Sequence, residues 1–434
     1  MSVCLPEAFV KRVGEQLGEE LPSFLREMEK PSVRGIRMNP SRNGGAPFRD
    51  AKGKIAWCGD GWELADDSPA GVTAAHEAGA FYLQEPGAMI PAEVMAARPG
   101  ERILDLCAAP GGKSTQMGAA MKGRGLLICN EPIPKRTAVL SRNLERMGIM
   151  NSIVTCAWPE QLAARWPEGF DGVMADVPCS GEGMFRREPE SRKEWSPEKA
   201  LGCVPRQREI LRSAAALVRP GGRLVYATCT FHPAENEEQI RWFLSEFPDF
   251  EPEAFQLPGV DGKDGMFTCW PHRARGEGQF AALLRRKGNA APRRTEGKAA
   301  FRISREQGRM WREAGLKLPE PDACLGGTLT LAPDIPDLSG IRVLRLGLHL
   351  AEIRGKTLVR DHAAAMSGVL TESPRAALSG EEALRYLAGE TLPGGTEGWT
   401  LMEFQGCILG WGKGSGGLMK NLYPKGLRNG RLIV

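Results

Sequence analysis

At 434 residues the chain exceeds one ordinary compact domain, so roughly two to four domains are expected. A hydrophobic share of 42% allows real cores, while a net charge of only +4 excludes a uniformly basic or acidic protein and leaves its partners to be read from local charge. Eleven cysteines without a CxxC pair, with only five histidines, exclude a disulfide framework and a metal site, and the lack of any run of about 18 apolar residues or of a leader-like N-terminus leads us to expect a soluble, cytoplasmic protein.

In chain order, Leu5, Phe9, Val13 and Leu17, then Leu21, Phe24, Leu25 and Met28, recur at helical spacing and predict two short helices. Pro31, Pro40, Pro47 and Asn43-Gly44-Gly45 then break the pattern around strand-like pieces such as Ile55–Trp57, so residues 1–70 read as a small accessory domain. From residue 71 to 285 short apolar runs alternate with helical stretches. The predicted strands are Arg102–Leu106, Leu126–Asn130, Ile153–Cys156, Gly172–Asp176, Leu224–Thr228 and Phe280–Leu284. Between them lie predicted helices near Lys113–Met121, Lys135–Met147, Arg206–Val218 and Glu235–Phe247. Such alternation means an α/β fold, a Rossmann-like parallel sheet with helices on both faces. A basic linker follows at 286–304. With its flanks it carries Arg285, Arg286, Lys287, Arg293, Arg294, Lys298, Arg302 and Arg305 against the lone Glu296, and reads either as a solvated tether or as an RNA contact. The region 305–434 is Gly- and Leu-rich and mostly β in texture. Its last stretch, Phe404–Val434, has Lys413, Lys420, Lys425, Arg428 and Arg431 and no acid, with Trp411 and Tyr423 interleaved, a texture suited to phosphate contact with base stacking.

Open parallel sheets bind ligands at the carboxyl ends of their strands. Unusual residues stand just past four strand ends here: Asp105-Leu106-Cys107-Ala108-Ala109-Pro110-Gly111-Gly112-Lys113, Glu131, Asp176-Val177-Pro178-Cys179-Ser180-Gly181, and Thr228-Cys229-Thr230. The first is not a P-loop, because Cys107 stands where that motif needs glycine, and it lacks GxGxxG spacing. It remains a small-residue turn that lets a cofactor approach the backbone, and Glu131 stands where an acid would take ribose hydroxyls. A nucleoside held without a pyrophosphate cradle points to S-adenosylmethionine, held by this turn and Glu131.

Cys179 and Cys229 are the sharpest signal. Thiolate attack on carbon 6 of a cytosine would break its aromaticity and make carbon 5 able to take a methyl group from a sulfonium. A second residue would then assist proton removal and release. Asp176 is placed to bond the cytosine edge, and Lys113 either favours the thiolate or contacts the base.

At these residues the chain resembles the Nop/Sun family of RNA 5-methylcytosine methyltransferases, in its bacterial RsmF-like branch acting on small-subunit (16S) ribosomal RNA. The matching stretches are Phe81–Met89, Asp105–Lys113, Asp176–Phe185, and Thr228-Cys229-Thr230-Phe231 with Glu235-Asn236-Glu237. The resemblance implies a class I methyltransferase domain at 71–285, with Cys229 as nucleophile, Cys179 assisting release, Asp176 and Lys113 beside them, and cofactor contacts at Cys107, Ala108, Ala109, Pro110, Gly111, Gly112, Lys113, Glu131 and Asp176. It also implies an RNA-contacting accessory domain at 1–70 and a C-terminal PUA-like RNA-binding module. The partner would be 16S rRNA or the small ribosomal subunit, with no membrane and no metal. Two departures stand out: Cys156-Ala157-Trp158 replaces the acid that relatives aim at the adenine, and Gly87 replaces a serine. Trp158 either stacks on that adenine or serves as a core or lid residue.

Two other readings compete: a DNA cytosine methyltransferase, disfavoured by the Thr-Cys element, and a ribosome assembly factor without catalysis, disfavoured because both cysteines are intact. Phe185, Arg186 and Arg187 lie on a loop read either as a closing lid over the flipped base or as an ordinary exposed loop.

Overall fold

The structure, a computed structural model, describes residues 4–42, 48–289 and 300–434. The linker cations Arg293, Arg294 and Lys298, and Glu296 among them, lie outside the described residues.

The centre is a twisted sheet in which five strands run parallel: Arg102–Asp105, Leu126–Asn130, Ser152–Thr155, Phe170–Asp176 and Val218–Thr228. Their near-continuous apolar runs, buried on both faces, are what a parallel strand between two helical layers requires. Arg102–Asp105 lies between Leu126–Asn130 on one side and Phe170–Asp176 on the other. The strand order reverses there, so the loop after Asp105 opens at the switch point where such sheets bind ligands.

Two antiparallel additions flank the parallel strands. Gln279–Arg286 pairs with Val218–Thr228, and Val343–Leu346 pairs with Ser152–Thr155. The second comes from beyond the predicted linker, so the C-terminal region contributes a strand to the central sheet. Arg285 and Arg286, read as linker cations, end the antiparallel strand instead. Arg285 forks onto Glu253, and Arg286 bonds Asp249 and Glu168.

The predicted helices form at Gly112–Met121, Pro134–Arg146, Pro197–Leu217 and Glu237–Glu246. Helices Pro86–Met95 and Pro159–Arg165 were not predicted. The N-terminal helices Glu7–Leu17 and Leu21–Met28 pack their apolar stripe, Phe9, Val13 and Phe24, into one aromatic cluster with Phe185, Phe231 and Trp270. Phe231 stacks on Trp270 at 4.6 Å and meets Phe24 edge-on. A small four-stranded sheet follows, into which Phe81–Leu83 pairs beside Gly35–Met38. The C-terminus adds a four-stranded and a five-stranded sheet. No helix among the described residues is long and apolar enough to cross a membrane.

Candidate active site

The loop after Asp105 turns through a cis Ala109-Pro110 bond into the helix Gly112–Met121, with Gly111 at φ +113 before its first turn, a conformation open to glycine at little cost. Ser114, one turn into that helix, donates to Asp105 Oδ2 at 2.6 Å, which folds the loop back over its own strand. Burial, only partly offset by Ser114, and the neighbouring Asp176 charge push the Asp105 carboxyl up to about 7. Burial likewise pushes the Cys107 thiol above the ordinary range.

The two cysteine turns arrive from adjacent strands. Phe170–Asp176 and Val218–Thr228 are paired in register, so the loops that leave them emerge side by side. Cys179 Sγ and Cys229 Sγ are 3.3 Å apart, and Cys229 N–H points to Cys179 Sγ at 3.3 Å. Lys113 Nζ reaches across to Asp176 Oδ2 at 2.7 Å. Burial opposes the Lys113 charge, but Asp176, with Cys229 and Asp105 behind it, holds the ammonium above its ordinary value. The contact with Cys229, together with burial, pushes the Cys179 thiol well up. All four side chains line one open cavity of about 390 Å³, together with Ala108, Ala109, Pro110, Gly112, Gln84 and Glu277.

A narrower slot of about 110 Å³ adjoins this cavity, sharing Cys107, Arg136 and Pro178 with it. Glu131 and Trp158 line the slot, with Pro132 and Ile210. The Glu131 carboxylate is buried, accepting Ile133 N–H at 3.0 Å and facing Arg136 at 2.9 Å. Trp158 is 51% exposed, so of the two sequence readings the core one fails and the residue is free to face a flat ring. The chemistry of the slot fits a nucleoside: prolines, an isoleucine and an indole for the base, and an acid for the ribose diol.

Several residues that hold the site were not singled out from sequence. Asn130 donates to Leu106 O and Ala157 O and accepts from Thr155 Oγ1, so one buried amide ties three strand ends together. Glu235, quoted only for its motif, accepts Ser180 N–H at 2.9 Å and Gln207 Nε2 at 2.8 Å, fixing the Cys179 turn. Asn236 takes Thr228 Oγ1 at 2.6 Å and donates to Thr230 O at 2.9 Å, fixing the Cys229 turn. Glu182 accepts from Arg12 at 2.7 Å and from Phe231 N–H, so the N-terminal helices brace both turns from behind. The buried polar type at these positions was the available signal; only the tertiary contact reveals the partner.

The lid reading of Phe185, Arg186 and Arg187 is corrected. Phe185 is fully buried in the aromatic cluster, and Arg186 forks onto Glu277 at 2.7 and 2.8 Å in the interior. Gly183 lets this loop lie against Gly278, where an added Cβ would collide with backbone. Only Arg187 is exposed, lining the catalytic cavity with no hydrogen bond or ion pair among the described residues. The stacking expected of Trp411 and Tyr423 is corrected too: they are 1% and 3% exposed, inside the C-terminal cores. The basic residues around them stay at the surface.

Residues 92–285, which contain the whole rim, match the family described as 16S rRNA methyltransferase RsmB/F. Residues 5–86 match the N-terminal domain of 16S rRNA methyltransferase RsmF, and 373–429 match the methyltransferase RsmF PUA domain. Across its full length the chain is 33% identical to ribosomal RNA small subunit methyltransferase F of Cronobacter sakazakii, covering 98% of that protein. It is 34% identical to the protein of the same name from Salmonella heidelberg, with the same coverage. A crystal structure of a methyltransferase homolog protein from Pyrococcus horikoshii shares the fold, with a TM-score of 0.56 at 24% identity over 65% of this chain and 96% of that one. With three profiles in the same order as its structural parts, and full-length relatives above 30% identity, the chain belongs to the ribosomal RNA small subunit methyltransferase F family.

Proposed function

We propose that this chain methylates carbon 5 of a cytosine in 16S rRNA, through a covalent bond between Cys229 Sγ and carbon 6, with Cys179 assisting release. The observation that carries the reading is the 3.3 Å approach of two thiols beside the Lys113–Asp176 pair, all in one cavity next to the slot lined by Glu131 and Trp158. The methyl donor of this family is S-adenosylmethionine, whose adenosine the slot fits, with Glu131 for the ribose and the turn 107–113 for the remainder. Bound there, it supplies a methyl group on a sulfonium, the electrophile that carbon 5 requires.

The chain's own residues perform the rest. Cys229 thiolate forms the sulfur–carbon 6 bond, and the ring π electrons move toward nitrogen 3, making carbon 5 nucleophilic. Asp176 accepts a hydrogen bond from the protonated cytosine edge, and Lys113, held cationic by that same carboxylate, keeps the neighbourhood of Cys229 positive. Once carbon 5 carries the methyl group, its proton leaves to a base, the double bond re-forms and the sulfur of Cys229 is expelled. Cys179, 3.3 Å from Cys229 and held protonated by that contact and by burial, is placed to give a proton as the Cys229 sulfur is expelled. The substrate is free 16S rRNA or the small subunit, reached in the cytoplasm, and its target base must be flipped out to enter the cavity.

The deciding experiment incubates wild type, Cys179→Ala and Cys229→Ala with S-adenosylmethionine and small-subunit RNA, then separates them on a denaturing gel. A persistent protein–RNA adduct with Cys179→Ala and none with Cys229→Ala is expected. The reversed pattern would exchange the two roles. No adduct in any variant, with no methyl transfer by wild type, would leave a non-catalytic assembly factor.

A further inference from the structure

Residues 300–372 lie outside the three matched profiles, yet with the PUA domain they enclose a groove of about 830 Å³, larger than the catalytic cavity. Its walls are the segment after the helix Arg305–Ala314, the loop 369–374, and the start of the strand Gly398–Phe404. At its base the Arg360 guanidinium sits in a corner of two perpendicular indoles, 4.6 Å from the Trp399 ring centre and 4.7 Å from that of Trp411. Arg360 donates one hydrogen bond, from Nη2 to Leu316 O at 3.3 Å, while its buried Nε has no partner and no carboxylate pairs with it among the described residues. Burial lowers it to about 10, so it stays cationic at neutral pH. Lys317 is exposed on the same wall and makes no ion pair among the described residues. Lys413 lies 5.7 Å from the Trp399 ring.

An arginine without a counter-ion, held against aromatic faces and opened to a groove, is a costly arrangement unless something anionic or flat completes it. Glu372 and Glu397 also face the groove, and Glu397 already accepts Gly416 N–H at 2.9 Å. Their charge disfavours a run of phosphates. It suits a base, whose exocyclic amino groups donate to a carboxylate, with one phosphate on the cations. We propose that this groove holds a single unpaired RNA nucleotide, its base packed on the Trp399–Arg360 corner and its phosphate against Lys317 and Arg360. The proposal rests on the RNA substrate of the preceding reading and supplies the stacking role that Trp411 and Tyr423, being buried, do not fill.

The test uses the full chain and a short single-stranded RNA of mixed sequence, with the same strand annealed to its complement as control. Trp399→Leu should weaken single-strand binding about five- to a hundredfold, the range of one stacked base. Lys317→Ala should make the salt dependence shallower by about 0.7 in the log–log slope, one phosphate contact on a single strand. The duplex should lose much less. Wild-type binding by both variants at every salt concentration would overturn the proposal, as would equal losses on duplex. If Trp399→Leu proves unstable in thermal melting, Lys317→Ala decides alone, since its exposed side chain makes no hydrogen bond or ion pair among the described residues. The KM for small-subunit RNA should rise in step with the lost affinity. A wild type that transfers no methyl group, but loses oligonucleotide binding on these substitutions, would sink the catalytic reading alone and leave the groove standing.

Discussion

The catalytic rim and the stretch from Phe404 to Val434 both present unusual side chains in sequence, and the fold treats them in opposite ways. At the rim, residues from four separate strand ends converge: Cys107, Lys113, Asp176, Cys179 and Cys229 share one cavity, with Glu131 in the slot beside it. In the tail the aromatics Trp411 and Tyr423 turn inward, while the basic side chains remain outside. The rim was inferred from position: in a parallel sheet, topology alone brings consecutive strand ends to one edge. The tail was inferred from composition, which cannot separate an aromatic that stacks on a ligand from one that packs a core.

The sharpest way to test the rim is to remove its charge pair. Asp176→Asn and Lys113→Met should each lower kcat by about a hundredfold to ten-thousandfold, the usual range for a group acting on a reacting proton or charge. Thermal melting should barely move, because the pair lies at the cavity wall rather than in a core. A large stability loss with kcat retained would mean that the pair is structural.

The loop after Cys179 gives the next effect. Glu277→Ala would strand Arg186 in the interior, where Glu277 now takes two of its hydrogen bonds. A loss of about 3–5 kcal/mol in unfolding free energy is expected, measured by denaturant titration. A loss below about 1 kcal/mol, with protease cutting after Phe185, would revive the lid. Trp411→Ala makes the matching test in the tail. Its indole is buried and donates to Asp361 O at 2.9 Å, so a cost of about 3–5 kcal/mol is expected. A Trp411→Ala protein that melts like wild type but binds RNA weakly would reverse the comparison.

These cases show where sequence reading succeeds and where it stops. The five parallel strands were legible because buried runs of Leu, Ile and Val are bounded by turns, and their predicted ends lie within a few residues of those observed for all but Val218–Thr228. The helix predicted near Arg206–Val218 starts earlier, at Pro197, and runs through Gly202 and Pro205, which locally oppose a helix but which tertiary packing accommodates. Val343–Leu346 was invisible as a member of the central sheet, since nothing local says that a strand nearly two hundred residues on will pair with Ser152–Thr155. The same holds for Glu182 and Arg12, whose ion pair joins distant segments. Chemistry-bearing residues announce themselves by type, but their braces are ordinary residues that matter only through contact.

A smaller effect concerns Arg187, exposed where Phe185 and Arg186 are buried, which lines the cavity unpaired among the described residues. With Arg186 anchored beside it, that guanidinium is expected to meet the backbone of an incoming RNA. Arg187→Met should raise the KM for RNA several-fold and reduce the salt slope by about 0.7 to 0.9, the share of one phosphate. An unchanged slope would remove this assignment.

The smallest effect sits where the two regions meet. His362 lies between the helix Pro134–Arg146 and the C-terminal module, with Nδ1 2.8 Å from Glu145 Oε1 and Nε2 3.0 Å from Leu409 O. Both partners are acceptors, so both ring nitrogens must donate and the imidazole is a cation. Burial alone would lower its pKa, but Glu145, Leu409 O and Asp361 together raise it above the usual 6.5. Two charged or titratable neighbours are held away from neutrality. The Glu145 carboxylate is held at about 2, despite burial, by His362 and Arg345, and burial beside Arg345 keeps His349 neutral down to about 3. Because the folded-state value is raised, this stabilisation is complete below the unfolded pKa and fades as pH rises through the folded one. Melting of the full chain should therefore shift down as pH rises above about 6.5, and His362→Gln should be less stable at low pH while losing that slope. Parallel slopes in both proteins would show that the seam does not depend on a charged imidazole, and that the shared strand, the apolar contacts and the other ion pairs, such as Arg345–Glu145 and Arg165–Asp337, hold the C-terminal module in place.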